Sequence, residues 1–164
     1  MDLSFINPTK GELPAGLVIA DIADFISLKP DKDYQIVIGT DSQTKSIDGN
    51  PRTDFVTVIV VYGEGAGGRY YYKKISEPRI MALRQKIHQE TWLSIEVAQA
   101  LVPEIRSAVS AAKYTFQIHI DVGSLGPTRE MISEVVGMVS ANGYHAEVKP
   151  NSWAASSIAD KHAH

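Results

Sequence analysis

Two aspartates close two similar segments of this chain. The run Tyr34-Gln35-Ile36-Val37-Ile38-Gly39-Thr40-Asp41 is apolar, rich in β-branched residues, and ends in a carboxylate. Such a run reads as a buried strand. The run Tyr114-Thr115-Phe116-Gln117-Ile118-His119-Ile120-Asp121 repeats the arrangement and leads into Val122-Gly123. A carboxylate at the end of a core strand is costly unless a cation or hydrogen-bond donors compensate it. Two of them, from distant parts of the chain, suggest a shared metal site. There is no cysteine, so the ligands must be oxygen or imidazole nitrogen, and oxygen favours Mg²⁺ or Mn²⁺.

The elements that must position these groups follow from periodicity and punctuation. Residues 1 to 15 read as a loose lead-in broken by Pro8, Gly11 and Pro14. Residues 16 to 28 have helical spacing, with Leu17, Ala20, Ile22 and Ile26 on one face. Strands are expected at about 34 to 41, 55 to 62 and 69 to 75. The polar stretch 42 to 53 between the first two holds the turn signal Asp48-Gly49-Asn50-Pro51. A long helix is expected from 79 to about 102, where Pro103 interrupts it, with the helix resuming through Ala112, or ends it. A fourth strand spans 114 to 121. Pro127 opens a further helix, which Asn142-Gly143 ends. A fifth strand covers 144 to 148, and a closing helix runs from Ser152, a suitable N-cap, to His162. A three-stranded meander followed by alternating helix and strand predicts a mixed α/β sheet with helices on both faces. The fourth and fifth strands join by right-handed crossovers, parallel to the first. Residues 1–33 are expected to pack as a lead-in and helix on a single domain formed by 34–164.

On the long helix, Leu83, Ile87, Glu90, Ser94, Val97 and Leu101 share one stripe. Glu90 interrupts an otherwise mostly apolar face and is the better third carboxylate. Glu96 lies with Gln85, Gln89 and Gln99 on the polar face. The plain alternative for Glu90 is a boundary residue paired with Arg84 or Lys86. In the closing helix the one carboxylate is Asp160. By position it reads as a surface residue beside Lys161, and it gains rank only because the topology calls for a ligand there. Four carboxylates at one end of a sheet repel one another unless cations sit among them. Two Mg²⁺ ions roughly 3.5–4 Å apart would meet that need and support in-line phosphoryl displacement.

The composition bounds this reading. The chain has 164 residues, 44 % of them hydrophobic, which suffices for one domain with a real core. No apolar run is long enough to span a membrane, and Met1 to Lys10 lacks the pattern of a signal peptide; a cytoplasmic protein is expected. The formal charge is −3, which disfavours coating of nucleic acid by bulk positive charge but leaves room for a local basic face.

The order of elements and carboxylates resembles the ribonuclease H-like superfamily, and more closely the bacterial YkuK-type family of predicted ribonuclease H-like proteins. The resemblance covers about 34 to 162. It is carried by Ile38-Gly39-Thr40-Asp41-Ser42-Gln43, the helix segment Arg84 to Glu96, His119-Ile120-Asp121-Val122-Gly123, and Val148-Lys149-Pro150 through Ala154-Ala155-Ser156 to Ala159-Asp160-Lys161. It implies a five-stranded mixed sheet of order 3-2-1-4-5, with Asp41, Glu90, Asp121 and Asp160 as the acidic set. It also implies, by analogy, a nuclease that uses two Mg²⁺ or Mn²⁺ ions and acts on RNA, an RNA–DNA hybrid or structured DNA.

Accessory roles fall to Ser42, His119, Lys161 and His162. His119 lies two residues before Asp121 on the same side of its strand, as an outer-shell partner or general base; a buried, hydrogen-bonded histidine is the plain alternative. His162 follows Asp160 closely enough to shuttle a proton, or belongs to a tail with His164. Lys149 and Lys161 could contact phosphate. Lys73, Lys74, Arg79, Arg84 and Lys86, with Tyr70 to Tyr72, form either a groove for nucleic acid or a lysine-protected edge strand. Two other functions compete with the nuclease. One is a non-catalytic nucleic-acid-binding domain of the same fold. The other is an actin-like-fold phosphotransferase, which the order Gly39-Thr40-Asp41 and the missing second domain disfavour.

Overall fold

The structure, a computed structural model, describes residues 3–109 and 113–152. Seven strands, β1 (Ser4–Asn7), β2 (Gly11–Pro14), β3 (Asp33–Ile47), β4 (Asn50–Gly63), β5 (Gly67–Glu77), β6 (Lys113–His119) and β7 (His145–Glu147), form one sheet. Its order is β2-β1-β5-β4-β3-β6-β7. The five expected strands are β3 to β7, and their order is the expected 3-2-1-4-5. The helices are α1 (Ala15–Leu28), α2 (Leu83–Ala108) and α3 (Ile132–Ala141), the last preceded by a 3₁₀ turn at Arg129–Met131.

The lead-in corrects the sequence reading. Residues 4–14 form a hairpin that lengthens the sheet by two strands, with Ile6 paired to Tyr72 of β5. The breakers Pro8 and Gly11 shape its turn, and Gly11 takes φ +77°, where a side chain would be strained. Fully buried Phe5 ties the hairpin into the main core.

The stretch 42–53 also differs from expectation. Instead of a polar loop, β3 and β4 continue as an antiparallel arm through Ile47 and Asn50. Asp48 and Gly49 both have positive φ, 51° and 78°, the two-residue hairpin turn that matches strand twist. Pro103 does not end α2, which runs on to Ala108. The buried stripe Leu101, Val102 and Ile105 continues across it, and that packing offsets the hydrogen bond the proline removes.

Strand alternation sorts the sheet into two faces. Ile36 and Ile38 of β3 and Ile59 and Val61 of β4 pack with residues of α1, α2 and α3. Val37, Val56, Val58 and Val60 lie on the opposite face with Tyr70 and Tyr72. Among the described residues all three helices join the first face; the expected closing helix lies outside those residues. Pairing of β3 with β6 is parallel, from Asp33↔Lys113 to Gly39↔His119. This register carries Asp41 and Asp121 past the same end of adjacent strands.

Candidate active site

A cleft of about 270 Å³ opens at that end of the sheet and is lined by Asp41, Glu90 and Asp121 together with Ser42, Lys86 and Lys149. A larger cleft of about 500 Å³ opens at the other end, beside Tyr62 and Tyr114. Its carboxylates, Asp33 and Glu64, are exposed, so no buried carboxylate lines it.

Glu90 reaches the cleft because its stripe on α2 faces the sheet. Ile87, Ser94, Val97 and Leu101 of that stripe are buried with it, while Leu83 at the helix start stays exposed. The contact is held by a chain of hydroxyls: Thr40 Oγ1 lies 2.7 Å from Ser94 Oγ and 2.9 Å from Thr57 Oγ1. One step along β3, Ser42 donates its hydroxyl to Glu90 Oε2. The pleat thus turns Ser42 toward α2. Asp41 pairs in register with Val56 of the opposite-face cluster and accepts the Ser42 amide at 2.9 Å.

Glu90 is 5 % exposed, and its Oε1 has no hydrogen-bond partner among the described residues. Burial pushes its pKa up to about 8; the Ser42 bond opposes the rise, and the charges of Asp41 and Asp121 add to it. Of the two alternative partners, Arg84 bonds Glu134 at 2.5 Å, while Lys86 lines the cleft and its charge opposes the rise at Glu90. Asp121 instead meets Lys149, whose Nζ lies 2.8 Å from Oδ1. The Lys149 amide donates to Val122 O at 2.9 Å, and a side chain at Gly123 would press on Lys149 Cβ at 3.1 Å. The glycine makes room for the lysine to lie along the loop.

The donor set suits a hard divalent cation: carboxylate oxygens with one buried oxygen unpartnered. Among the described residues, however, no group of three Asp, Glu or His side chains stands close enough to chelate one ion. The expected convergence is therefore looser than the sequence reading held. Strand alternation separates Asp41 from Ser42, and Lys149 takes up Asp121. Asp160, Lys161 and His162 lie outside the described residues.

His119 is buried beside the cleft rather than in it. Its Nε2 lies 3.1 Å from Gln117 Oε1 and its Nδ1 has no partner among the described residues. Burial holds the imidazole below its usual pKa, with Glu147 opposing and His145 adding. Lys149 is the group the sequence undervalued: it was read as a phosphate contact, and the structure makes it the partner of Asp121. Its position directly after the fifth strand, parallel to the one ending near Asp121, was the available signal.

Residues 17–164 match the ribonuclease H-like family. The chain belongs to that family. It is also 29 % identical to the uncharacterized protein YkuK of Bacillus subtilis (strain 168), over 96 % of this chain and 95 % of the relative. No solved structure matches it.

Proposed function

We propose that the cleft hydrolyses phosphodiester bonds in RNA, an RNA–DNA hybrid or structured DNA with the help of divalent cations. The observation that carries this reading is Glu90: a buried carboxylate with an unpartnered oxygen, in a cleft that two further carboxylates line. A buried carboxyl with a perturbed pKa in a cleft is a candidate functional group, and a divalent cation bound there would compensate its charge. Asp41, Glu90 and Asp121 would divide between two Mg²⁺ or Mn²⁺ ions rather than chelate one together, with Asp160 as the fourth candidate. The ions would lower the pKa of attacking water and stabilise the leaving oxygen.

The chain's own groups divide the remaining work. The Ser42 hydroxyl fixes one oxygen of Glu90 and leaves the other available. Lys149 keeps Asp121 paired and sets a positive charge at the cleft wall, where it can meet a phosphate oxygen as a point charge.

The test is a panel of labelled single strands, duplexes, hybrids and junctions with Mg²⁺ or Mn²⁺. Asp41→Asn and Asp121→Asn should each lower cleavage about a hundredfold or more while circular dichroism stays unchanged; removal of an outer-shell partner alone costs a metal site about 10–100-fold. Full activity in Asp41→Asn would overturn the mechanism. A second reading, a binding domain without turnover, draws support from the Lys149–Asp121 pair, which supplies Asp121 with a cation of its own. Tight binding with no cleavage on any substrate or metal would favour it.

A further inference from the structure

Lys149 is set in place by the same ladder that sets Asp121. Ile120 donates its amide to Glu147 O and Lys149 donates its own to Val122 O, both at 2.9 Å. Parallel pairing of β6 with β7 thus continues past His119↔Glu147. Two residues further on, Asp121 and Lys149 stand side by side on one face, while Ile120 and Val122 join the main core on the other. The stem of Lys149 runs over Gly123, where an added Cβ would meet its Cβ at 3.1 Å and its Cδ at 3.5 Å. Asn151 donates its amide back to Val148 O at 2.8 Å. The backbone and the root of the side chain are therefore fixed. The ammonium is less so: the Lys149 side chain is 55 % exposed, that of Asp121 is 30 % exposed, and a single contact of 2.8 Å joins them. Both line the cleft with Asp41 and Glu90.

We propose that Lys149 is an exchangeable partner of Asp121: its ammonium moves to a phosphate oxygen of the incoming ligand and yields the carboxylate to a divalent cation. Two cations on one carboxylate repel each other inside the roughly 8 Å that physiological salt leaves unscreened. Lysine suits the exchange because it is a point charge on a flexible stem with rotatable donors. Arginine in its place would grip the carboxylate through a planar fork. The fixed root confines the swing to the cleft wall. The consequence is coupling. A cation alone must displace the ammonium, and a phosphate alone must draw it off its carboxylate. Together each removes the other's cost, and each tightens the other's binding by the same factor. The exchange rests on the divalent-cation reading of the cleft and adds to it the order in which charge is handed over.

The experiment measures Mn²⁺ binding to the full chain by the loss of the free ion's paramagnetic signal, with and without a mononucleotide. The mononucleotide offers phosphate oxygens but no diester to cleave, and the Mn²⁺ that it holds in free solution is subtracted. It should tighten Mn²⁺ binding about tenfold, within the range of about 5–150-fold usual for coupled sites. Mn²⁺ should tighten mononucleotide binding by the same factor. Lys149→Met keeps the stem and removes the charge. It should tighten Mn²⁺ binding about tenfold without nucleotide and reduce the coupling below about twofold. If that variant melts early, Lys149→Gln should give the same pattern. Lys29→Gln, at the Gly65 turn, should change neither quantity. Full coupling in a folded Lys149→Met or Lys149→Gln, with Mn²⁺ binding that Asp121→Asn still weakens, would overturn the exchange and spare the site. No Mn²⁺ binding to any form would overturn the site and the exchange with it. The expected pattern in a protein that cleaves nothing would support the exchange and defeat the nuclease.

Discussion

Asp54 and Glu90 are both nearly removed from water, at 0 % and 5 % exposure, and the chain treats them in opposite ways. Burial alone would raise the pKa of Asp54, but the Ser76 hydroxyl, Lys74, Lys45 and Arg52 together bring it below the usual carboxylate range. At Glu90 burial is opposed only by the Ser42 hydroxyl and Lys86, Asp41 and Asp121 add to it, and the pKa rises. Asp21 follows the Asp54 pattern: burial opposes, yet bonds from Lys10 and Tyr71 and the charge of Arg69 lower its pKa. The contrast separates a carboxylate that holds other groups in place from one that awaits a partner. Burial by itself distinguishes neither.

The sharpest way to break the comparison is to remove each charge. Asp54→Asn leaves three cations crowded around a neutral amide. It should cost about 3 kcal/mol, the lower end for breaking a buried pair because the cations are partly exposed. That corresponds to a melting point lower by about 6–12 °C. Glu90→Gln, melted in chelator at pH 8, should instead match or exceed the parent by about 1 kcal/mol, since it removes a buried charge that the Ser42 hydroxyl and Lys86 offset only in part. A large destabilisation by Glu90→Gln would place Glu90 with Asp54 and remove the main support for the cleft.

The pH dependence should have opposite sign at the two sites. Glu90 titrates at about 8 in the folded chain, above the ordinary value of 4.5, so the folded state holds a proton that the unfolded state has released. In chelator its contribution is fully present below about pH 4.5 and is lost as pH rises toward 8. Asp54 is held below 3.8, so its contribution is present above about that pH and is lost as pH falls further. Denaturant melts across pH 3 to 8 check both, and Glu90→Gln should flatten the upper limb alone. The smallest effect is expected at Glu134, an exposed carboxylate paired with Arg84 and His88. Glu134→Gln should shift stability by less than about 1 kcal/mol and leave cleavage unchanged.

Much of this was legible in residue patterns. The alternation and β-branching of 34–41 and 114–121 gave the two central strands. The Glu90 stripe gave the face of α2, because a single carboxylate among buried Ile87, Ser94 and Val97 breaks a periodic signal. The short hairpin of β1 and β2 was not legible. Four residues give too little alternation to outweigh Pro8, Gly11 and Pro14. The arm beyond Ser42 was missed for a related reason: its polar residues sit on a ladder, and composition reports solvent more strongly than pairing. The Lys149–Asp121 and Lys45–Asp54 contacts depend on register between strands, which local periodicity does not encode.

The N-terminal hairpin has one more effect. It covers the eleven-residue β5 around Ile6↔Tyr72 and places there β2, four residues long and ending in Pro14. A strand that short, finished by a residue with no amide hydrogen, is a poor template for a foreign chain. The added segment thus leaves this side of the sheet with a shorter edge for a foreign strand to pair with.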